Sequence, residues 1–526
     1  MPEIVLATLN AKYIHSAFGL RYLKANIGGL ESRTEILEFD INTRPADIAE
    51  EILRHAPRIL GLGVYIWNTA QTLSVIQILK KVRPDLVLVL GGPEVSYETE
   101  GQAIAALADY IICGEADHAF RELCEAIMGN KRPLPKVLQA PLPDLSSIRL
   151  PYGLYSDSDL AHRVVYVEAS RGCPFSCEFC LSSVEVPVRQ LPRAPLLSGL
   201  DRLLQRGATQ LKFVDRTFNL SVESSLAILT FLRQRYRPGL FFHFEVVPDR
   251  LPAELKEAIA QFPPGALQLE AGVQTFNEDV ARRISRRQNY TRLEENLKFL
   301  RSGTGAHVHA DLIAGLPGES MESFAGGFDR LVALGPQEIQ VGILKRLKGT
   351  PIIRHDAEWQ MTYNPDPPFE LLKNRDLKFQ EVQQLKRFAR FWDLVGNSGN
   401  FIETAPLLWR DGKSPYKEFS KLAAWCHHRF RRTDSIALVR LMEALHEYLT
   451  AETGLNAQES AAALWRDYQR AGRREKPEFL RAFALAEPVE ARRMGSLPKR
   501  QARHLGLEAN PAATCGSQKP EYGQSR

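Results

Sequence analysis

The strongest constraint on this chain is a ten-residue run, Arg171-Gly172-Cys173-Pro174-Phe175-Ser176-Cys177-Glu178-Phe179-Cys180, which sets three thiols at C-x3-C-x2-C spacing. So short a segment cannot turn all three side chains to one point as a helix or strand. It can wrap as a loop around a compact inorganic centre, and thiolates are the usual ligands of iron–sulfur clusters. Three ligands on a four-iron cube leave one iron open to a small molecule, much as an open position separates catalytic from structural zinc. A structural zinc would want a fourth ligand at finger-like spacing. No His or further Cys lies close by, since His162 is upstream across an apolar strand. A disulfide would leave one thiol over and need an oxidising compartment. Buried, unreactive thiols fit poorly, because Pro174, Ser176 and Glu178 do not make a core-facing pattern.

This C-x3-C-x-aromatic-C pattern, entered from an apolar strand ending in Ser170-Arg171-Gly172, resembles the cluster loop of radical S-adenosylmethionine (radical SAM) enzymes. The resemblance implies that Cys173, Cys177 and Cys180 ligate a 4Fe-4S cluster and that Phe179 packs near the SAM adenine. The open iron would chelate the amino and carboxylate groups of SAM. An electron from the cluster would then cleave SAM to a 5′-deoxyadenosyl radical, which takes hydrogen from a substrate. A low-potential electron donor such as flavodoxin or ferredoxin is implied as a partner.

With 526 residues the chain is long enough for two to four domains with formed cores. Its 44% hydrophobic and 25% charged residues are those of an ordinary soluble protein. A net charge of +5 is small for this length and argues neither for nor against an anionic partner, so there is no strong nucleic-acid signal. No stretch approaches a membrane span, and Ile59–Ile66 is far too short. The start Met1-Pro2-Glu3-Ile4-Val5-Leu6-Ala7 lacks a secretory signal, and seven cysteines with three clustered fit a reducing interior. The expected location is cytoplasmic.

Over residues 1–135, short apolar runs at Glu3–Leu9, Glu35–Ile41, Arg58–Ile66, Asp85–Leu90 and Tyr110–Cys113 alternate with helical spacing at Phe18–Ile27, Ala46–His55, Ala70–Val82 and Ala119–Met128. Alternation of this kind predicts parallel strands with right-handed crossovers, a doubly wound Rossmann-like sheet whose ligands sit at the carboxyl ends of the strands. Those ends carry His15, Tyr65, Trp67, Gly91-Gly92-Pro93-Glu94 and Gly114-Glu115. No G-x-G-x-x-G follows a strand, so a nicotinamide or flavin site is unsupported, while a receiver-like or structural layer stays open. Gly-Gly-Pro-Glu after the fourth strand and Gly-Glu after the fifth resemble the cobalamin-binding domain that precedes the catalytic domain in one subgroup of radical SAM enzymes. That resemblance implies cobalamin held by His15, Tyr65, Trp67, Gly91, Gly92, Gly114 and Glu115. Typical cobalamin domains place Asp-x-His-x-x-Gly after the first strand, with the His on cobalt. Here the loop reads Tyr13-Ile14-His15-Ser16-Ala17-Phe18-Gly19, so either His15 reaches the cobalt or Tyr65 and Trp67 cover a face with no protein nitrogen. Cys113 reads as a buried residue ending a strand.

Residues 136–160, punctuated by Pro141, Pro143 and Pro151, read as a linker. Over residues 161–350, strands at Val164–Ala169, Gln210–Asp215, Phe241–Val247, Ala266–Val273, His307–Ala314 and Glu338–Leu344 make six parallel units. Six units fit the partial (β/α)6 barrel that the resemblance implies, with functional groups at the C-terminal strand ends. By position, Asp215, Glu270, Arg286, Ile313 and Gly315 resemble SAM-contacting residues of the family, with Arg286 suited to pair a carboxylate.

From residue 351 to 490 the pattern is helical, with Asp376–Val395, Tyr416–Phe430, Ser435–Thr450 and Glu459–Arg470 as helices and Cys426-His427-His428 read as a buried thiol on a helix rather than a metal site. Residues 491–526 read as a disordered tail, with Cys515 outside any ligand set. The expected fold is therefore α/β: a Rossmann-like cobalamin-binding domain, a partial radical SAM barrel and a helical C-terminal region. The expected activity is cobalamin-dependent radical SAM chemistry, methylation of an unactivated carbon first, with the substrate unknown. Rearrangement or cyclisation without methyl transfer, and a cluster and corrinoid sensor of redox state or light, are the alternatives.

Overall fold

The computed structural model describes residues 2–131, 135–184, 187–486, 492–493 and 497–508. It divides into two compact units, one of residues 1–216, 345–353 and 364–370, the other of residues 217–344, 354–363 and 371–526.

The first unit begins with β1 (Ile4–Asn10), α1 (Phe18–Ala25), β2 (Thr34–Asp40), α2 (Pro45–Arg54), β3 (Ile59–Gly63), α3 (Thr69–Val82), β4 (Val87–Gly91), α4 (Ala103–Leu107), β5 (Tyr110–Cys113), α5 (Ala119–Met128) and β6 (Val137–Gln139). All six strands pair in parallel in the order β2-β1-β3-β4-β5-β6. Because a strand sends successive side chains to opposite faces, β1 divides its residues cleanly. Val5, Ala7 and Leu9 enter a core with Ile48, Ile76 and Leu79 of α2 and α3, while Ile4 and Leu6 enter a second core with Leu20, Phe120 and Ile127 of α1 and α5. A sheet buried on both faces explains why these strands read as unbroken apolar runs. Strand order reverses between β1 and β3, and such switch points bind ligands at their carboxyl ends.

Residues 136–160 are not a bare linker. Val137–Gln139 adds the sixth strand, Asn26 exchanges two hydrogen bonds with the backbone of Arg149 at 2.8 and 3.0 Å, and Arg21 pairs with Asp159 at 2.9 Å. Three residues are too few to show a period, and the contacts that fix Arg149 and Asp159 come from more than a hundred residues away. After α6 (Asp157–His162) come β7 (Val165–Val167), the antiparallel pair β8 (Ser170–Arg171) and β9 (Arg189–Gln190), α7 (Arg193–Gln205) and β10 (Gln210–Phe213), which pairs in parallel with β7. The β8–β9 pair closes the base of the excursion that carries the three clustered cysteines.

In the second unit the alternation continues through α8 (Val222–Gln234), β11 (Phe241–Val246), α9 (Ala253–Ala260), β12 (Leu267–Gln274), α10 (Glu278–Arg283), α11 (Tyr290–Gly303), β13 (His307–Ala314), α12 (Met321–Leu334) and β14 (Glu338–Ile343). Strands β11 to β14 pair in parallel, each with the next. One face is apolar and buried, with Phe242, Phe244, Leu269, Ala271, Val308 and Ala310. The other face carries His243, Glu245, Glu270, His309 and Asp311 in register. The small pair β15 (Thr362–Tyr363) and β16 (Leu371–Lys373) leads to α13 (Phe379–Val395), α14 (Pro415–Phe430), α15 (Leu438–Glu447) and α16 (Ala457–Arg470). Phe328 of α12 meets Phe388 and Trp392 of α13 edge-on at 4.9 and 4.8 Å, a geometry aromatic rings favour. Cys426 is fully buried, and burial pushes its thiol up to about 12.

The disordered-tail expectation is corrected where the structure describes the tail. Helix α17 (Lys499–His504) is built into the second unit: Arg500 pairs with Glu338 at 2.7 Å and Asp393 at 3.0 Å, and Arg503 donates to the Ser398 carbonyl at 3.0 Å. Lys-Arg-Gln-Ala-Arg-His has no apolar period to announce a helix; distant acceptors hold it. Cys515 lies outside the described residues.

Gly92, just past β4, has φ +106° and ψ 167°, and a Cβ there would lie 2.5 Å from the Val64 carbonyl oxygen. That backbone region is open essentially to glycine alone, at a cost of about 1–3 kcal/mol for other residues. Gly92→Ala is expected to lower the unfolding free energy by about that much in denaturant titrations. Unchanged stability would mean the loop does not hold this conformation.

Candidate functional site

At the carboxyl ends of β3, β4 and β5 the first unit encloses a cavity of about 470 Å³, within the range of small-molecule and cofactor sites. Its floor is backbone-rich: Gly63, Gly91, Gly92 and Gly114 line it, so a ligand can approach the main chain. Tyr65, Glu115 and Asp117 also line it, and a further wall comes from the cysteine excursion and the strand entering it, with Glu168, Ser170, Arg171, Gly172, Leu181 and Ser182. Cavity and cysteine loop thus share residues inside one compact unit.

That shared wall is held by charge. The Arg171 guanidinium lies 2.8 Å from Glu115, 2.8 Å from Asp117 and 2.9 Å from Glu168, with all four side chains largely buried. It also stacks over the Tyr22 ring at 4.6 Å. Burial alone would lower the Arg171 pKa, but the three carboxylates outweigh it and raise it. Glu168 feels the same burial, which pushes its carboxyl up to about 7 against the pull of Arg171. Glu115 has its second oxygen on Arg189. The residue expected to touch cobalamin therefore lines the cavity with both oxygens engaged in positioning the loop.

The three cysteines sit close enough for the charges of Cys177 and Cys180 to act on Cys173. Cys173 and Cys177 are buried and Cys180 half-buried. Burial raises the Cys173 thiol, and the charges of Cys180 and Cys177 add to that. The Cys180 amide donates to the Cys177 carbonyl at 3.1 Å, and the Cys180 carbonyl accepts from both the amide and the hydroxyl of Ser183, turning the loop back on itself. Phe179 is half-buried within it. Asp215, expected to contact SAM, is buried, and its carboxylate accepts from the Ala169 amide at 2.9 Å and the Ser170 hydroxyl at 2.6 Å at the entry to the loop. The chain also returns to this unit over residues 345–353, where Lys348 pairs with Glu94, Arg346 with Glu98 at 3.0 Å, and the Ile352 amide donates to the Glu178 carbonyl at 3.0 Å. One segment thus ties the Gly-Gly-Pro-Glu loop to the cysteine loop.

Two of the residues expected at cobalamin do not line the cavity. His15 sits outside it with Nδ1 2.7 Å from the Tyr166 hydroxyl. Trp67 is 46% exposed, donates to the Leu9 carbonyl at 3.2 Å and stacks on Tyr65 with centroids 4.5 Å apart. Tyr65 alone of the three faces the cavity, and no histidine is among the described lining residues.

In the second unit, Glu270 on β12 lies 2.9 Å from His243 on β11. Strand β12 ends in a register shift between Gly272 and Gln274, and Gln274 takes φ +69°. Arg286 donates to the Gly272 carbonyl at that break and to Gln288 Oε1 at 3.0 Å. Ile313 is half-buried at the end of β13, and Gly315 follows at φ +92°. Arg286 thus sits at the end of β12 and Glu270 midway along it, with Ile313 and Gly315 at the end of the neighbouring strand. His243 and His309 were not singled out from sequence; His309 pairs in register with Glu270, and His243 stands two residues before Glu245 on the same strand, which puts both on the polar face.

Residues 4–124 match the B12 binding domain, residues 167–331 the radical SAM superfamily and residues 357–502 a domain of unknown function, DUF4080. Among curated relatives, an uncharacterized methyltransferase of Pyrococcus horikoshii is 25% identical over 53% of this chain and 64% of its own length. The cobalamin-dependent radical SAM methyltransferase TokK of Streptomyces tokunonensis is 24% identical over 55% of this chain and 47% of its own. The chain thus spans about half to two thirds of these relatives. A solved structure of the radical S-adenosylmethionine methyltransferase TsrM from Kitasatospora setae, with tryptophan and a SAM analogue bound, aligns over 70% of this chain and 79% of that one with a TM-score of 0.56 at 16% identity, a likeness of fold. No helix among the described residues is long and apolar enough to cross a membrane.

Glu319, at the end of the Gly315-Leu316-Pro317-Gly318-Glu319 turn, is buried and accepts from the Thr275 hydroxyl at 2.5 Å. Burial pushes its carboxyl up to about 7 from 4.5, so the folded chain keeps a proton there that the unfolded chain gives up. Stability from this group is full below pH 4.5 and is lost as pH rises toward 7, by at most about 3 kcal/mol. Denaturant titrations are expected to show the wild type losing ground to Glu319→Gln across that window; parallel pH profiles would contradict the assignment.

Proposed function

We propose that this chain, a radical SAM protein carrying a B12 binding domain, is a cobalamin-dependent methyltransferase that places a methyl group on an unactivated carbon. The observation that carries this reading is the shared wall: Arg171, Gly172, Leu181 and Ser182 border the cavity and belong to the excursion that presents the three thiols. A chain that uses two cofactors in one reaction has to hold both sites against each other, and here a buried ion-pair network does so.

In this reading residues 1–135 are the cobalamin domain, residues 161–350 the catalytic barrel and residues 351–490 a helical region that restricts access to the reaction. Cys173, Cys177 and Cys180 would hold the cluster; Tyr65, Gly91, Gly92 and Gly114 would cradle the corrin, with Glu115 acting through Arg171. Phe179, Glu270, Arg286, Ile313 and Gly315 would receive SAM. When bound, these groups supply a 5′-deoxyadenosyl radical from SAM and a methyl group carried on cobalt. The chain's own residues do the rest. Arg286 offers a guanidinium geometry matched to a carboxylate. Asp215 fixes the strand that enters the cysteine loop, and Tyr65 presents a phenol rather than an imidazole to the cavity. The electron would come from a small low-potential donor.

Anaerobic protein with reconstituted cluster and cobalamin, incubated with SAM, reductant and a panel of candidate substrates, tests the proposal. Formation of 5′-deoxyadenosine together with S-adenosylhomocysteine is the expected result. Deoxyadenosine without S-adenosylhomocysteine would replace methyl transfer with rearrangement or cyclisation, and neither product would point to a sensor.

A further inference from the structure

At the other end of the barrel strands the structure holds a second cluster of metal-type donors. His307 opens β13, Glu338 opens β14 and His504 closes α17; one ligand atom from each lies within 4.8 Å of the other two. His307 starts an eight-residue strand, so this cluster lies about 23 Å from the carboxyl end of β13, at roughly 3.3 Å per residue. The N-terminal face of a barrel is where stability is built rather than chemistry.

We propose that His307, Glu338 and His504 bind a divalent transition-metal cation, zinc in the first instance, which staples α17 to the base of the strands. Two imidazoles and one carboxylate are an established donor set for zinc. The hydrogen bonds around the cluster are those a metal site needs. His504 Nε2 lies 3.0 Å from the Asn397 carbonyl, which can only accept, so Nε2 carries the proton and the Nδ1 lone pair is left for a ligand. Glu338 offers Oε1 toward His307 Nε2 at 2.7 Å while Arg500 holds Oε2 at 2.7 Å, orienting the carboxylate from behind. Coordination takes the place of the proton between His307 Nε2 and Glu338 Oε1, and that proton leaves to solvent.

A separate observation points to a ligand here. His307, His504 and Gln501 line one cavity of about 280 Å³. Gln501 is 7% exposed, donates its Nε2 to Gln268, and has no hydrogen-bond partner for Oε1 among the described residues. A buried amide oxygen left without a donor costs about 1–3 kcal/mol, and a cation or its bound water removes that cost. Zinc takes four ligands, and Gln501 Oε1, which lines the same cavity as the two histidines, is the group assigned to the remaining position.

The test is elemental analysis of the cluster-reconstituted full-length protein, titrated with zinc and desalted, for wild type, His504→Gln, Glu338→Gln and Cys177→Ala. About one zinc per chain is expected in wild type, lost in His504→Gln and Glu338→Gln with iron unchanged, and kept in Cys177→Ala. His504→Gln alters only the last helix, so it reads out even if Glu338→Gln fails to fold. No zinc in wild type, or zinc lost with Cys177 and kept without His504, would overturn the proposal, the latter because the metal would then sit on the cysteine loop.

Discussion

One buried guanidinium organises the first unit. Arg171 stands between the loop after β5, through Glu115 and Asp117, and the strand that enters the cysteine loop, through Glu168. Two rather different pieces of chain, a doubly wound sheet and a thiol-bearing excursion, are joined there by charge, beside an apolar cluster of Tyr22, Leu145, Ile148 and Leu191. Buried pairs of this kind gain little over a hydrophobic substitute, but breaking one costs about 3–5 kcal/mol because an uncompensated charge remains. That asymmetry suits a joint that must hold one geometry. Asp215 and the Lys348–Glu94 pair brace the same region from the barrel strand and from the returning segment.

Charge at this joint also shapes the cavity. The carboxylates that face it are spoken for, so the surface offered to a ligand is mostly glycine backbone, Tyr65 and the apolar edge of α1. With His15 tied to Tyr166, Tyr65 and no histidine lines this cavity among the described residues. The second unit contributes a strand face of alternating His and acidic residues, a polar surface unusual for a packed barrel and suited to binding polar groups.

Much of this was legible in the residues. The six barrel strands and the four long C-terminal helices follow from period, with His307–Ala314 matching to the residue. The cysteine loop was legible because its spacing has few physical uses. What escaped were features that depend on partners far along the chain. Arg171 pairs with Glu115 and Asp117 across 56 and 54 residues, and nothing in either local sequence marks them as partners. The partners of Asp215, the Ala169 amide and the Ser170 hydroxyl, lie 46 and 45 residues back along the chain and are likewise unmarked. Trp67 sat at the correct strand end but turns outward, because its ring stacks behind Tyr65. Helix α17 carries no apolar period at all and is held by Glu338, Asp393 and Ser398.

The central claim is that the Arg171 network holds a cobalamin cavity and a cluster loop as one body. Titration of cluster-loaded Arg171→Met with cobalamin, followed by absorbance alongside iron analysis, tests it most directly. The account predicts cobalamin binding at least about tenfold weaker than wild type, a loss of about 1.4 kcal/mol or more, in protein that keeps its iron. Wild-type affinity in the variant would contradict it.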